Sequence, residues 1–434
     1  MPQGARQARI EAFTHDGRGV ARVDGKVVFI EGALPGEEVS FVYTAVHRDH
    51  GEGRVEAVLT AAPDRVTPRC PQYADCGGCS LQHLSAPAQI AMKQGLLVEQ
   101  LRHIGKIAEV PLWPPLLGPV WGYRRKARLS VRYVARKGRA LVGFRDRTGA
   151  WVADLAFCPT LHPVIGERLQ ALSELVGSLS IKTRVPQIEV AVGDRRAALV
   201  FRTLDDPSAE DRAQLAAFGE RFGFDIYLQR HGPESILPVW PEAPEPLRYA
   251  LPDQGLEFRF KATEFIQVNA AVNRALVDRV VEVLRPEPGE RVLDLFCGLG
   301  NFTLALARHA GEVVGAEGVP ELVQRARENA AANALTNAEF YLADLTQPLD
   351  GQAWAFQRYH KVLLDPARGG AQEVLAGVPH WGASRILYVS CNPATLARDA
   401  GLLVHRHGYR LVRAGVLDMF PHTAHVESMA LFER

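Results

Sequence analysis

Hydrophobic and polar residues alternate differently in successive blocks of the chain, and each pattern predicts its own architecture. Over residues 7–60, strand-like stretches at 8–13, 26–30, 39–43 and 53–58 are separated by Gly- and Asp-containing turns. Strands of this length with a turn about every ten residues predict a small antiparallel barrel. A Pro- and Cys-rich stretch from Pro63 to Cys79 follows, and then a helical pattern from about Pro87 to Ile104. Residues 122–231 mix strand patterns at 128–134, 187–192 and 197–201 with two helical ones, which predicts an α+β region. Six prolines between Pro233 and Pro252 exclude a helix there and predict a linker or an edge crossover. From about residue 272 the pattern becomes helix 272–285, strand 291–295, a Gly-rich turn, helix 301–309, strand 312–316 and helix 319–334, with further strands near 338–342, 361–365 and 385–390. Such alternation predicts a doubly wound parallel sheet with helices on both faces.

With 434 residues, 47% hydrophobic and 23% charged, the chain is neither disordered nor a small disulfide scaffold, and its length predicts two or three domains. A net charge of +1 argues at first against a polyanionic partner, but the average conceals a segregation. Residues 1–60, 61–150 and 151–434 carry −2, +10 and −7 respectively. Between Tyr123 and Arg147 there are ten basic residues, among them Arg124, Arg125, Arg128 and Arg132, and one acid, Asp146. That block is the candidate nucleic-acid face. No run of 18 apolar residues exists to span a membrane, and the opening MPQGARQARI lacks an apolar signal core, so the expected location is the cytosol. Six cysteines in such a chain are expected to bind metal or to catalyse.

The turn after strand 291–295 reads Asp294-Leu-Phe-Cys-Gly-Leu-Gly-Asn-Phe-Thr303. Gly298 and Gly300 allow a tight turn and a close backbone approach to a ligand at a helix N-terminus. A third small residue, required by the dinucleotide fingerprint, is replaced by Thr303, and a lone G-x-G also suits an ordinary strand-to-helix turn. Glu317 at the end of the second strand sits where an acid accepts ribose hydroxyls, and Asp344, closing the third, is placed to meet an adenine amino group. This pair of acids suits S-adenosylmethionine better than NAD. Cys297, inside the turn, reads as a small packed residue.

Farther along, Ser390-Cys-Asn-Pro-Ala-Thr-Leu-Ala-Arg-Asp399 puts Cys391 at a strand end, before a helix that Asn392 would cap and Pro393 would start. A helix N-terminus stabilises a thiolate, which makes Cys391 a candidate nucleophile. Asp365-Pro-Ala-Arg368 ends the neighbouring strand, and Glu427 interrupts an otherwise apolar strand, 426–432. Glu427 therefore faces solvent or serves as a general base. Cys70-x5-Cys76-Gly-Gly-Cys79 with the distant Cys158 offers four thiolates, enough for tetrahedral zinc or for an iron–sulfur cluster.

DLFCGLGNFTL, DPAR, SCNPATLARD and HVE, preceded by Phe265-Ile-Gln267-Val-Asn269, resemble the RNA 5-methyluridine methyltransferase family. Within it the chain is most similar to bacterial 23S ribosomal RNA (uracil-5-)-methyltransferases that carry an iron–sulfur cluster. The resemblance covers nearly the whole chain and implies a TRAM-like, OB-type barrel over 1–61. It implies a central cluster-bearing α+β domain over 62–81 and 114–260, and a Rossmann-like methyltransferase domain over 82–113 and 261–434. It also implies S-adenosylmethionine held by Gln267, Phe296, Gly298, Gly300, Asn301, Glu317, Asp344 and Asp365, and a [4Fe–4S] cluster on Cys70, Cys76, Cys79 and Cys158. The roles that follow are Cys391 as nucleophile, Asp365 at the uracil edge and Glu427 as base, with Phe265 against a base of the RNA partner. One departure is the Asp-Pro-Ala-Arg sequence at 365–368, where the family usually has a second proline. Transfer RNA as substrate, 5-methylcytidine chemistry and RNA binding without catalysis remain open at this point.

Overall fold

The computed structural model describes residues 4–434; residues 1–3, at the head of the stretch read for a signal core, lie outside the described residues. No described helix is long and apolar enough to cross a membrane.

Residues 6–60 form a six-stranded sheet in the order Arg6–Arg9, Glu38–Val46, His50–Thr60, Lys26–Glu31, Gly19–Val23 and Ala12–Phe13. Alternate residues (Ala21, Val28, Ile30, Val39, Phe41) point into its core, the period-2 pattern that made the strands legible. Two details differ from the expectation. The 8–13 stretch is two strands rather than one, and Lys26–Glu31 runs parallel to His50–Thr60, so the unit is not wholly antiparallel.

The central sheet has the order Ile236–Trp240, Phe224–Gln229, Ala197–Arg202, Gln187–Val192, Lys126–Val134 and Arg139–Gly143. Helix Ala209–Phe222, begun by a Ser208/Asp211 capping box, makes the one parallel connection between Ala197–Arg202 and Phe224–Gln229. The proline-rich stretch supplies the outer strand Ile236–Trp240, since an edge strand tolerates a residue that cannot donate to a ladder.

The last sheet has seven strands: β1 (Arg291–Leu295), β2 (Glu312–Glu317), β3 (Ala338–Leu342), β4 (Lys361–Leu364), β5 (Arg385–Ser390), β6 (Arg410–Leu417) and β7 (Glu427–Glu433). Their order is β3-β2-β1-β4-β5-β7-β6, parallel except for β7, which runs antiparallel to both neighbours. β6 escapes the sequence pattern because Arg413 and Gly415 interrupt its apolar run. The helix expected over 301–309 shortens to Thr303–Ala307. Strand order reverses between β1 and β4, so a crevice opens there at the carboxyl edge, where doubly wound sheets bind ligands.

Helix Ala86–His103 lies on the helix Pro393–His405 and on β6. It is pinned by a fully buried lysine, Lys93, whose Nζ donates to Asp418 Oδ1 at 3.1 Å and to the Phe420 carbonyl at 3.0 Å. The chain after this helix runs along the free edge of β6, with Trp113 and Leu116 N–H groups donating to Ala414 and Val416.

Candidate active site

The crevice is built from the ends of β1, β2, β4, β5 and β7. β5 is buried from Ile386 to its end at Ser390, after which Asn392 Oδ1 accepts the Ala394 N–H at 3.1 Å and Pro393 opens the helix. Cys391 is held at this junction. Ser390 pairs with Ser428 in the antiparallel β5–β7 register, which sets Glu427, the first residue of β7, opposite Cys391. Glu427 is 4% exposed, so the solvent-facing alternative for this acid fails. Asp365 follows β4, its N–H donating to the Leu295 carbonyl of β1 at 3.2 Å.

Three acidic groups crowded into one partly dry crevice oppose each other's ionisation. Burial, and then the Glu427 and Asp365 carboxylates, push the Cys391 thiol up to about 11, against the pull of Arg368. Burial raises Asp365 to about 7 and lifts Glu427 well above the carboxylate range, where Asp365 adds to the effect. Burial and the two carboxylates thus oppose the thiolate that the helix N-terminus favours.

Two features that the motifs contained but did not explain hold this arrangement. Asp399, fully buried, accepts from the Ala371 N–H at 2.8 Å and the Tyr388 hydroxyl at 2.7 Å, while Asn392 Nδ2 donates to the Arg368 carbonyl at 3.0 Å. Together they strap the 365–371 loop onto the helix that starts beside Cys391. Arg368 in turn donates to His425 Nδ1 at 3.1 Å, and His425 is pushed down to about 4 by burial and by the cations Arg368, Lys93 and Arg124, so it is neutral. The only hint of this in the sequence was the retention of Arg368 and of His425 beside Glu427.

On the cofactor side, Phe296, Gly298 and Gly300 adopt left-handed φ of +66°, +56° and +92°. The Gly298 and Val319 N–H groups both donate to Glu317 at 3.0 Å, locking the turn to the end of β2. Thr303, standing where a dinucleotide turn has a third small residue, bonds the buried Asp294 instead. Gln267 is half-buried and its carbonyl accepts from Arg125 Nε at 2.9 Å; Phe265 is 65% exposed. Asp344 is exposed beyond β3 and engaged by Thr346. Asn301 shares a reciprocal amide pair with Asn273 (3.0 and 3.1 Å), and its Oδ1 also accepts from the Tyr249 hydroxyl. Cys297 is buried and packs under Gly315.

The basic block divides. Arg128 and Arg132 are exposed, Arg132 lying 4.4 Å over the Trp151 ring, and Arg124 is half-buried with its charge felt at His425. Arg125 is only 4% exposed, stacked over Tyr249 at 4.8 Å, so it does not belong to an outward RNA-facing row; its long apolar stem and aromatic partner draw it inside. Lys126 is neutralised by Glu189, Lys137 and Arg139 by Asp154, and Arg147 by Glu31.

Cys70, Cys76, Cys79 and Cys158 line one small pocket with Phe144, Leu155 and Thr160, and none is in a disulfide. Burial and the neighbouring cysteines raise Cys70, Cys76 and Cys79, Cys79 to about 12, a penalty that coordination by a cation would remove. Cys158 is fixed by its N–H bond to Gly166, where a Cβ would come within 2.3 Å of the Cys158 carbonyl oxygen. Among the described residues no three of the four sulfurs lie within 4.8 Å of one another; the group that does meet that spacing is His47, His50 and Glu52, on the rim of the barrel. The cysteine loop is bonded to the segment that precedes Glu427: the Ser80 and Leu81 N–H groups both donate to the His422 carbonyl at 2.9 Å, and Ser80 Oγ accepts from the Ala424 N–H at 3.0 Å.

Comparison with known proteins gives the family. Residues 245–434 match the family model described as tRNA (Uracil-5-)-methyltransferase, and residues 6–55 match the TRAM domain. The chain is 59% identical over 434 residues, covering 100% of itself and 98% of the relative, to the 23S rRNA (uracil(1939)-C(5))-methyltransferase RlmD of Methylococcus capsulatus. The chain belongs to this family of RNA (uracil-C5)-methyltransferases. A second family member, from Alkalilimnicola ehrlichii, is 52% identical over the same length, covering 100% of this chain and 98% of its own. Among solved structures, the Pyrococcus abyssi tRNA (uracil-54, C5)-methyltransferase in complex with S-adenosyl-L-homocysteine superposes with a TM-score of 0.74 at 25% identity, covering 98% of this chain and 99% of that one.

Proposed function

We propose that this chain, in the cytoplasm, transfers a methyl group from S-adenosylmethionine to carbon 5 of a uridine in 23S ribosomal RNA, the position its relatives' name gives as 1939. The observation that carries the reading is the placement of Cys391 opposite Glu427 with Asp365 on the adjoining strand end. Ribosomal rather than transfer RNA is favoured because the relatives that match over the full length act by name on 23S rRNA.

S-adenosylmethionine, held by Gln267, the 296–300 turn, Glu317 and Asp344, supplies an electrophilic methyl on a cationic sulfonium, a charge that favours ionisation of the nearby acids. The Cys391 thiol loses its proton to solvent, and the thiolate sulfur bonds carbon 6 of uracil, moving the electron pair of the 5,6 double bond towards O4 and making carbon 5 nucleophilic. Asp365 accepts from N3–H, which distinguishes uracil from cytosine. Carbon 5 takes the methyl as the thioether leaves. Glu427, ionised at that stage, removes the carbon 5 proton; the double bond re-forms and the carbon–sulfur bond breaks, returning the thiolate. Phe265, Arg128 and Arg132 meet the strand from which the uridine is unstacked.

The four cysteines hold a [4Fe–4S] cluster with a structural task, bracing the 80–84 turn against the segment that leads into Glu427. Tetrahedral zinc with bonds of about 2.3 Å would draw its sulfurs to roughly 3.8 Å of one another. The choice of cluster over zinc rests on the resemblance, and the four cysteines gathered around one pocket are its ligands in this reading.

With a 23S rRNA fragment and labelled S-adenosylmethionine, Glu427→Gln should accumulate a denaturation-resistant protein–RNA adduct and Cys391→Ala should form none. Retained methylation by Cys391→Ala would refute the assignment. Anaerobically purified protein should contain iron and absorb near 400 nm; stoichiometric zinc would refute the cluster.

A further inference from the structure

A second cleft, of about 650 Å³, lies at the seam between the central sheet and the helix Ala270–Leu284. It is lined by Arg125, Arg195, Arg196 and Arg274, against one lining acid, Asp194. The Asp194 carboxylate is already shared: it accepts from the Ala250 N–H at 2.9 Å and Arg274 Nη2 at 3.1 Å, and lies 3.9 Å from Arg125. Arg196 is engaged by Asp225 at the rim. Arg195 is exposed and has no acidic partner among the described residues, and Arg125, though 4% exposed, leaves Nη2 without an acceptor.

The same cleft receives the start of a 15-residue helix. Asn269 Oδ1 accepts from the Val272 N–H, and the N–H groups of Ala270 and Ala271, which also line the cleft, have no acceptor within the helix. Orphan amides, a helix dipole and surplus guanidinium charge converge on a space with room for more than one phosphate. None of these groups belongs to the Cys391 crevice.

We propose that this seam binds a phosphate group. The source is either the backbone of the RNA substrate, docking a second stretch of the strand away from the reacting uridine, or a free phosphate such as a nucleotide. The RNA source rests on the function proposed above; the phosphate chemistry does not.

Two variants probe the cleft. Arg195→Glu reverses an exposed charge that has no acidic partner among the described residues, and Ala271→Asp places a carboxylate at a helix start, where it is tolerated, so that it competes for the cleft. Binding of a 23S rRNA fragment is measured by filter retention against KCl concentration, and binding of inorganic phosphate and pyrophosphate by calorimetry. Weakening of RNA binding by about tenfold in both variants, with the salt slope of Arg195→Glu reduced by about one, identifies the backbone as the source. Unchanged RNA binding with a tenfold or greater loss of pyrophosphate affinity identifies a free phosphate. No loss in either measurement overturns the proposal. Wild-type protein that binds pyrophosphate but neither binds nor methylates the RNA leaves the cleft standing and removes the ribosomal RNA reading instead.

Discussion

Cys391 offers the sharpest test of how the crevice is charged. With the thiol at about 11, roughly one molecule in three thousand carries a thiolate at pH 7.5, against about one in ten for an ordinary cysteine at 8.5. The more basic thiolate is intrinsically more reactive, and a Brønsted slope of about 0.4–0.5 recovers roughly tenfold of that deficit. Alkylation of Cys391 by iodoacetamide, read by mass spectrometry of its peptide, should then be about twentyfold slower than that of a free thiol. It should rise close to tenfold per pH unit from pH 7 to pH 10. The neighbours give the test its sign. Deleting an opposing carboxylate, Glu427→Gln, should move the rise to lower pH, whereas Arg368→Ala, which deletes the one cation that favours the thiolate, should move it higher. A plateau reached below about pH 8.5 in the wild-type protein would show that the helix start prevails over burial. Displacement of both variants in the same direction would show that these charges do not reach the sulfur.

Three further outcomes follow from the same structure. Lys93→Met strands Asp418 in a buried site and should cost about 3–5 kcal/mol in denaturant unfolding of the unit it pins, while Lys93→Met with Asp418→Leu should recover most of that loss. Asp294 is wholly buried and raised to about 7 from an ordinary 3.8, so the folded state binds its proton more tightly than the unfolded chain does. Stability should therefore fall as pH rises from about 4 to 7, by up to about 4 kcal/mol from this residue, and Asp294→Asn should flatten that slope in thermal melts at pH 5, 6, 7 and 8. Reversing the exposed Arg128 and Arg132 to Glu should weaken binding of the 23S rRNA fragment and flatten its salt dependence while leaving S-adenosylmethionine affinity unchanged by calorimetry; equal RNA affinity in the variant would remove this strand from the RNA face.

Much of the architecture was legible because local patterns decide it. Period-2 burial marked the strands of the first sheet, and the apolar pattern from residue 270 onward located six of the seven strands of the last sheet to within a residue or two. Where local pattern is weak, legibility failed. β6 carries Arg413 and Gly415 in its middle and is a strand because β7 and the 112–116 segment hold it on both edges. The helix after the glycine turn is short because Asn301 is held by Asn273 and Tyr249 outside the helix.

The site divides in the same way. Residue identity and position were enough to mark Cys391, Asp365, Glu427 and the four cysteines as candidates, and the family resemblance supplied the roles proposed for them. The state of those groups was not in the sequence. A helix start favours a thiolate, yet two carboxylates 26 residues before it and 36 after it in the chain, brought alongside by the β4–β5–β7 order, reverse that preference. Arg125, one of ten bases in a run, turns inward through contacts with Gln267 and Tyr249, more than a hundred residues away. Which groups occur near one another along the chain was set by the sequence alone; which charges meet out of water, and so how each one titrates, was decided only when distant strands were brought edge to edge.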